Sequence, residues 1–176
     1  KYYTGEISYT PLTSGYFNGY TIETTGLSLG QDSIRSSSAE YIIDSGTNTL
    51  LLSQDDYQLI KKQFIGNCNG VRLPGICNSG KTFFDGVCFE VSADEMKDFP
   101  TVSMKFSGDV TMTMSAEEYL LPDIKKGGDY KCFGILPSSI PIIGDVLMKP
   151  YYTVIDNAQQ RFGFAPVDRT ACLKGV

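Results

Sequence analysis

The sequence has no histidine and no tryptophan in 176 residues. Without imidazole the chain cannot by itself build a Ser-His-Asp or Cys-His unit, a histidine metal site or the usual general base of neutral pH. Chemistry carried here must rest on carboxylates, lysine, tyrosine, cysteine or backbone groups. No run of 18 apolar residues occurs, so no membrane span is expected. The opening Lys1-Tyr2-Tyr3-Thr4-Gly5 lacks the apolar centre of a secretory signal. There is no CxxC pair among Cys68, Cys77, Cys88, Cys132 and Cys172, and with histidine missing no metal site and no cofactor are expected. An N-x-[S/T] acceptor is also missing. Basic residues are few and scattered. Fifteen Lys+Arg stand against 20 Asp+Glu, for a formal charge of −5, and Lys61-Lys62 and Lys125-Lys126 are the only adjacent basic pairs. That pattern offers no nucleic-acid footprint.

What is present points to β structure. Short runs of β-branched and aromatic residues recur between turn signals: Ile7 to Thr10 ending at Pro11, Tyr20 to Thr24, Leu27 to Leu29 after a Gly26 turn, and Tyr41 to Ile43. Two hairpins are predicted, Thr101–Phe106 with Val110–Met114 and Tyr151–Ile155 with Arg161–Val167. One helix stands out: Ser53 as N-cap, Asp55 and Asp56 in the first turn, and Tyr57, Ile60 and Phe64 spaced for one face. Ser115–Tyr119 and Gly144–Lys149 read as short helical turns, the latter capped by Asp145. Residues 67–86, rich in Gly and Asn, read as a surface excursion pinned by a Cys68–Cys77 bridge, inferred from proximity in sequence. The expectation is one mostly-β unit with one or two short helices.

Five cysteines fit two bridges and one odd thiol, hence an oxidising compartment. Five choices of odd thiol and three connectivities for the other four allow 15 arrangements, and spacing alone does not choose among them.

The segment with chemical content is Tyr41-Ile42-Ile43-Asp44-Ser45-Gly46-Thr47. An apolar strand delivers one carboxylate into a tight turn whose amides and hydroxyls can hold its oxygens. Some D-[S/T]-G arises by chance in roughly one chain in ten of this length, so the tripeptide needs company. It has it. Pro141-Ile142-Ile143-Gly144-Asp145, Tyr151 to Asp156 and Arg161 to Val167 follow in order, and Tyr2-Tyr3-Thr4-Gly5 with Tyr9-Thr10-Pro11-Leu12 precedes. Together these resemble the C-terminal lobe of pepsin-like aspartic endopeptidases over nearly the whole chain, residues 1–176, with 168–176 as a tail that carries Cys172.

The resemblance implies one lobe of the bilobal acid-protease fold. It assigns Asp44 as the second catalytic aspartate, Ser45 as the hydroxyl that bonds across the lobe boundary, Gly46 as the close-approach position and Thr47 as support for the outer carboxylate oxygen. Ile142-Ile143-Gly144 matches the hydrophobic-hydrophobic-Gly strand beneath the catalytic loop. Ile42, Ile142 and Tyr9 match cleft positions, with core packing as the other reading of each, and Cys88–Cys132 matches the disulfide of that lobe. Two departures stand out. The stretch from Cys132 to Gly144 is shorter than in digestive pepsins, and only one D-[S/T]-G is present where the family's mechanism uses two.

Two apposed carboxylates sharing a proton can activate water and protonate a leaving amine without metal or cofactor. Asp32, Asp55, Asp56, Asp85, Asp94, Asp109 and Asp129 sit in turn, cap or loop contexts, and none follows an apolar strand into Ser-Gly or Thr-Gly. The expected partner is therefore an N-terminal lobe, from the same precursor or a companion chain, carrying the first aspartate and the flap. A homodimer pairing two Asp44 residues, as in retroviral proteases, is disfavoured by the length of the chain. Peptide or protein substrates and pepstatin-like inhibitors are expected at the cleft, in a secreted or vacuolar/lysosomal setting, and the lobe alone is expected to be inactive. The other reading is a pepsin-fold binding or inhibitor protein without catalysis.

Overall fold

In a computed structural model, which describes residues 2–14, 19–35, 39–68, 70 and 72–170, the architecture is built around one long strand. In chain order the elements are β1 (Ser8–Thr13), β2 (Thr21–Leu29), β3 (Asp32–Arg35), β4 (Ala39–Ile43), β5 (Leu50–Leu52), α1 (Gln54–Gly66), β6 (Phe89–Glu90), α2 (Ala93–Met96), β7 (Val102–Phe106), β8 (Val110–Met114), α3 (Ala116–Tyr119), β9 (Leu120–Pro122), β10 (Tyr130–Phe133), β11 (Ile135–Pro137), β12 (Ile142–Ile143), α4 (Asp145–Met148), β13 (Tyr151–Asp156) and β14 (Arg161–Pro166). A 3-10 turn spans Phe83–Asp85. One sheet of 11 strands runs β11-β5-β12-β4-β2-β1-β14-β13, with β3 and β7 also on β2 and β8 on β7, and β6-β10-β9 form a second sheet. The fold is mostly β, as expected. Among the described residues the α-helices with assigned bounds are one of 13 residues and three of four residues, more than the one or two short ones expected.

Strand β2 has nine residues and is long enough to pair along its length with β1, β3, β4 and β7. The sequence reads a turn at Gly26; the structure places an irregularity there instead. The β2–β7 register shifts between Thr24 and Gly26 and the strand continues to Leu29. A glycine inside a strand commonly marks such a bulge. Nor does Pro11 end β1. It lies opposite Arg161, where the strand passes from β14 to β2, and the next donor, Leu12 N–H, bonds to Gln160 O at 2.9 Å. At that changeover the missing proline N–H costs no ladder bond.

Both expected hairpins form, through Ser107-Gly108-Asp109 with Asp109 at φ 60° and through residues 157–160 with Gln160 at φ 48°. Helix α1 starts where Ser53 accepts from the Asp56 N–H at 3.2 Å, and Tyr57, Ile60 and Phe64 face inward as their spacing requires. Phe64 enters an aromatic cluster with Phe84, Tyr119 and Phe133, ring centroids 5.6–6.3 Å away. Disulfides join Cys68 to Cys77 and Cys88 to Cys132, the second linking the start of β6 to β10. Cys172 lies outside the described residues. Among the described residues no helix is long and apolar enough to cross a membrane.

Candidate active site

Asp44 stands at the end of β4, and hydrogen bonds hold that end on both sides. Ile43 N–H donates to Tyr20 O at 2.8 Å, while Ile42 N–H donates to Pro141 O at 3.1 Å and Asp44 N–H to Ile143 O at 3.0 Å. Strand β12 lies between β4, to which it is parallel, and β5, to which it is antiparallel, so two segments a hundred residues apart in sequence become neighbours. In this register Ile142 is beside Ile42 and Ile143 beside Ile43. Ile43 and Ile143 are buried, whereas Ile42 and Ile142 are half-buried. Strand alternation puts Ile42 on the face of Asp44, with Ile142 next to it.

The turn after Asp44 is made by its own side chain. Gly46 N–H donates to Oδ1 at 2.8 Å and the Thr47 hydroxyl donates to Oδ2 at 2.7 Å. A Cβ at position 46 would stand 3.1 Å from Oδ1, so glycine is what lets the amide come this close. The Thr47 hydroxyl is the larger cause, and the Gly46 amide the second, of an Asp44 carboxyl held below the usual aspartate range, against a small opposing effect of burial. Asp44 is half-buried while Ser45 and Gly46 are exposed. The carboxylate is thus fixed, ionised and reachable.

Behind the loop, α4 clamps it: Asp145 N–H donates to Thr47 O at 2.8 Å. A side chain at Gly144 would collide with the carbonyl oxygens of Thr47 and Thr49. The cap of α4 is Gly144, and Asp145 is the first helical residue, a correction to the reading of Asp145 as the cap. Gly144 holds the cap position because nothing larger fits against the loop. A concavity of about 260 Å³ begins at Asn48, beside the loop, and is walled by Leu121, Ile124, Asp145 and Val146.

Tyr9 is placed elsewhere in the sheet. It lies on β1, separated from β4 by β2, with the Arg161 guanidinium 3.8 Å above its ring and Gly163 opposite. Among the described residues the one grouping of Cys, Asp and Glu close enough to share a metal is Cys88, Cys132 and Asp123. Both sulfurs are bonded to each other, which leaves a single carboxylate.

Sequence reading missed a buried polar cluster next to β4. Tyr41 Oη donates to Asp56 Oδ2 at 2.7 Å, and Arg35 Nε pairs with Asp56 Oδ1. Asp56 in a first helical turn reads as an ordinary cap-region acid, and no local pattern marks it as buried.

A family model described as eukaryotic aspartyl protease matches residues 1–167. Among curated relatives, cathepsin D of Clupea harengus is 30% identical over 173 residues, covering 94% of this chain and 39% of the relative. Penicillopepsin-3 of Penicillium janthinellum is 30% identical over 169 residues, covering 93% of this chain and 38% of its own length. Cathepsin E of Aquarana catesbeiana is 28% identical over 176 residues, again 94% of this chain and 38% of the relative. The chain therefore spans about two-fifths of the length of these relatives. A carboxylate gripped by a Ser-Gly-Thr turn over a crossing hydrophobic strand, and a family match covering residues 1–167, lead to one conclusion: the chain belongs to the eukaryotic aspartyl protease family.

Proposed function

We propose that residues 1–176 form the C-terminal lobe of a pepsin-like aspartic endopeptidase and that Asp44 is one of its two catalytic aspartates. The observation that carries this is the grip on Asp44: one donor to each carboxylate oxygen, on an exposed loop clamped from behind by α4. Such a grip favours the ionised form, which is what a water-activating carboxylate needs. The second aspartate and the flap are assigned to an N-terminal lobe, because no other Asp of this sequence is followed by Ser-Gly or Thr-Gly. When the two carboxylates meet, they share one proton and titrate as a pair. One draws a proton from water as it attacks the peptide carbonyl; the other protonates the leaving amine. Thr47 keeps Asp44 oriented, Ser45 bonds across the boundary, and Ile42 and Ile142 line the cleft where extended peptides and pepstatin-like inhibitors bind. The two disulfides suit an oxidising, secreted or vacuolar/lysosomal setting.

The test is cleavage of an internally quenched peptide at acid pH by this chain alone and by the protein that joins it to an N-terminal lobe. The joined protein is expected to cleave, to be inhibited by pepstatin and to lose activity with Asp44→Asn. The lone chain is expected to be inert. Activity of pure monomeric chain that survives Asp44→Ala refutes the assignment, and so does a joined protein that neither cleaves nor binds pepstatin.

A further inference from the structure

The polar cluster beneath β4 is costly in a way that its contribution to stability does not explain. Asp56 is 2% exposed and Tyr41 and Thr24 are fully buried, while the Arg35 side chain is 8% exposed. Each member reaches a different element. Arg35 ends β3; its Nη2 donates to the Thr24 hydroxyl of β2 at 2.8 Å, and that hydroxyl donates to Ala39 O of β4 at 3.1 Å. Asp56, in the first turn of α1, forms an ion pair with Arg35 on one oxygen and accepts the Tyr41 hydroxyl of β4 on the other. The directional bonds of the cluster are thus those of Tyr41, Thr24 and Arg35 Nη2, while Arg35 Nε and Nη1 make none. Burying a charge pair costs about as much as the pair returns, and well-packed apolar replacements of the same volume are often as stable. What directional bonds add over apolar packing is registration, since they are satisfied at one setting of the elements and apolar contacts tolerate sliding.

Three residues after Tyr41, Asp44 follows directly on the end of β4. We propose that Arg35, Asp56 and Tyr41 are positioning residues for the Asp44 carboxylate: they fix the height of β4 against α1 and β2, and so the place at which Asp44 meets its partner. The inference rests on the catalytic role proposed above for Asp44. A dyad that shares one proton needs its carboxylates within hydrogen-bond reach, and a displacement on the order of 1 Å can cost up to about a hundredfold in rate. The hydrogen bonds to Ile143 and Tyr20 hold the end of β4 laterally, whereas the Tyr41–Asp56 bond ties it to the helix beneath.

The test uses the peptidase-active protein, with active sites counted by pepstatin titration so that kcat refers only to folded molecules. Two variants are compared with the parent: Tyr41→Phe, which deletes one hydroxyl, and the apolar triple Arg35→Met, Asp56→Leu, Tyr41→Phe. Expected is a fall in kcat per titrated site of about fivefold or more with KM within about twofold, since substrate contacts are untouched. The triple variant is expected to melt within a few degrees of the parent. A second pair of single variants, Arg35→Met and Arg35→Lys, is measured alongside, and Arg35→Lys, which keeps the charge, is expected to lose less rate than Arg35→Met. Unchanged kcat per site in Tyr41→Phe overturns the proposal whether or not the triple variant folds. So does a rate loss that merely tracks lower melting temperature across the set. An inactive parent protein would instead count against the catalytic assignment of Asp44.

Discussion

The Thr47 hydroxyl donates to Asp44 Oδ2 at 2.7 Å and is the largest cause of the lowered Asp44 pKa. A residue three positions along the chain therefore lowers the pKa of the candidate catalytic group, and the sign of that effect is open to measurement.

Thr47→Val keeps the shape and removes the donor. The Asp44 carboxyl is expected to titrate higher than in the parent, leaving only the Gly46 amide to lower it. A group whose folded pKa is depressed stabilises the fold above its unfolded value, and that contribution fades as pH falls through the folded value. The variant should thus lose less stability than the parent does as the pH falls through the range in which Asp44 is protonated. Carboxyl carbon NMR of the chain across that range reads the midpoint directly; an unmoved midpoint would sink the idea.

Gly144→Ala pushes a methyl group into the carbonyls of Thr47 and Thr49, which are backbone and cannot swing aside. The position has ordinary φ of −105°, so the penalty is one of space alone. A loss of about 3 kcal/mol or more is expected in urea unfolding. A cost under about 1 kcal/mol would mean that the contact between α4 and the loop is looser than described.

The two disulfides should differ in worth. Cys68–Cys77 closes a separation of 9 residues and Cys88–Cys132 one of 44. On the chain-entropy account the longer loop stabilises by about 1.4 kcal/mol more. Replacing each pair by serines and comparing urea midpoints checks the order. The reverse order would show that the entropy of the unfolded chain is not what decides here.

Phe64 is fully buried among Phe84, Tyr119 and Phe133. Phe64→Ala is expected to cost about 3–5 kcal/mol, because the rings around it cannot collapse into the space. Thermal melting of the chain gives the answer, and a drop of only a degree or two would mean that the cluster repacks.

Local sequence carried a good deal. The period of two in Val102–Phe106 and Val110–Met114 specified a hairpin, since one face of each strand is buried. Ser53 with Tyr57, Ile60 and Phe64 specified α1. The apolar approach to Asp44, together with Ser45, Gly46 and Thr47, specified a gripped carboxylate, because both donors lie within three residues of it. The single turn α2 went unread although Ser92 and Glu95 form a capping box around its start, a signal visible in the sequence.

The rest was decided by contacts between distant segments. Pro11 and Gly26 look like punctuation locally, yet β2 pairs with β1 beyond Pro11 and β7 with β2 beyond Gly26, and the strands run on. Parallel insertion of β12 beside β4 follows from no local pattern, since Ile142-Ile143 reads equally as any buried run. Burial of Asp56 against Arg35 and Tyr41 is likewise invisible in a first helical turn, where an acid ordinarily faces water. Thus the sequence by itself determined a β-rich chain without imidazole chemistry, with Asp44 held by its own turn. Tertiary structure decided how that turn is clamped and at what height β4 presents it, because those forces act between residues that only folding makes neighbours.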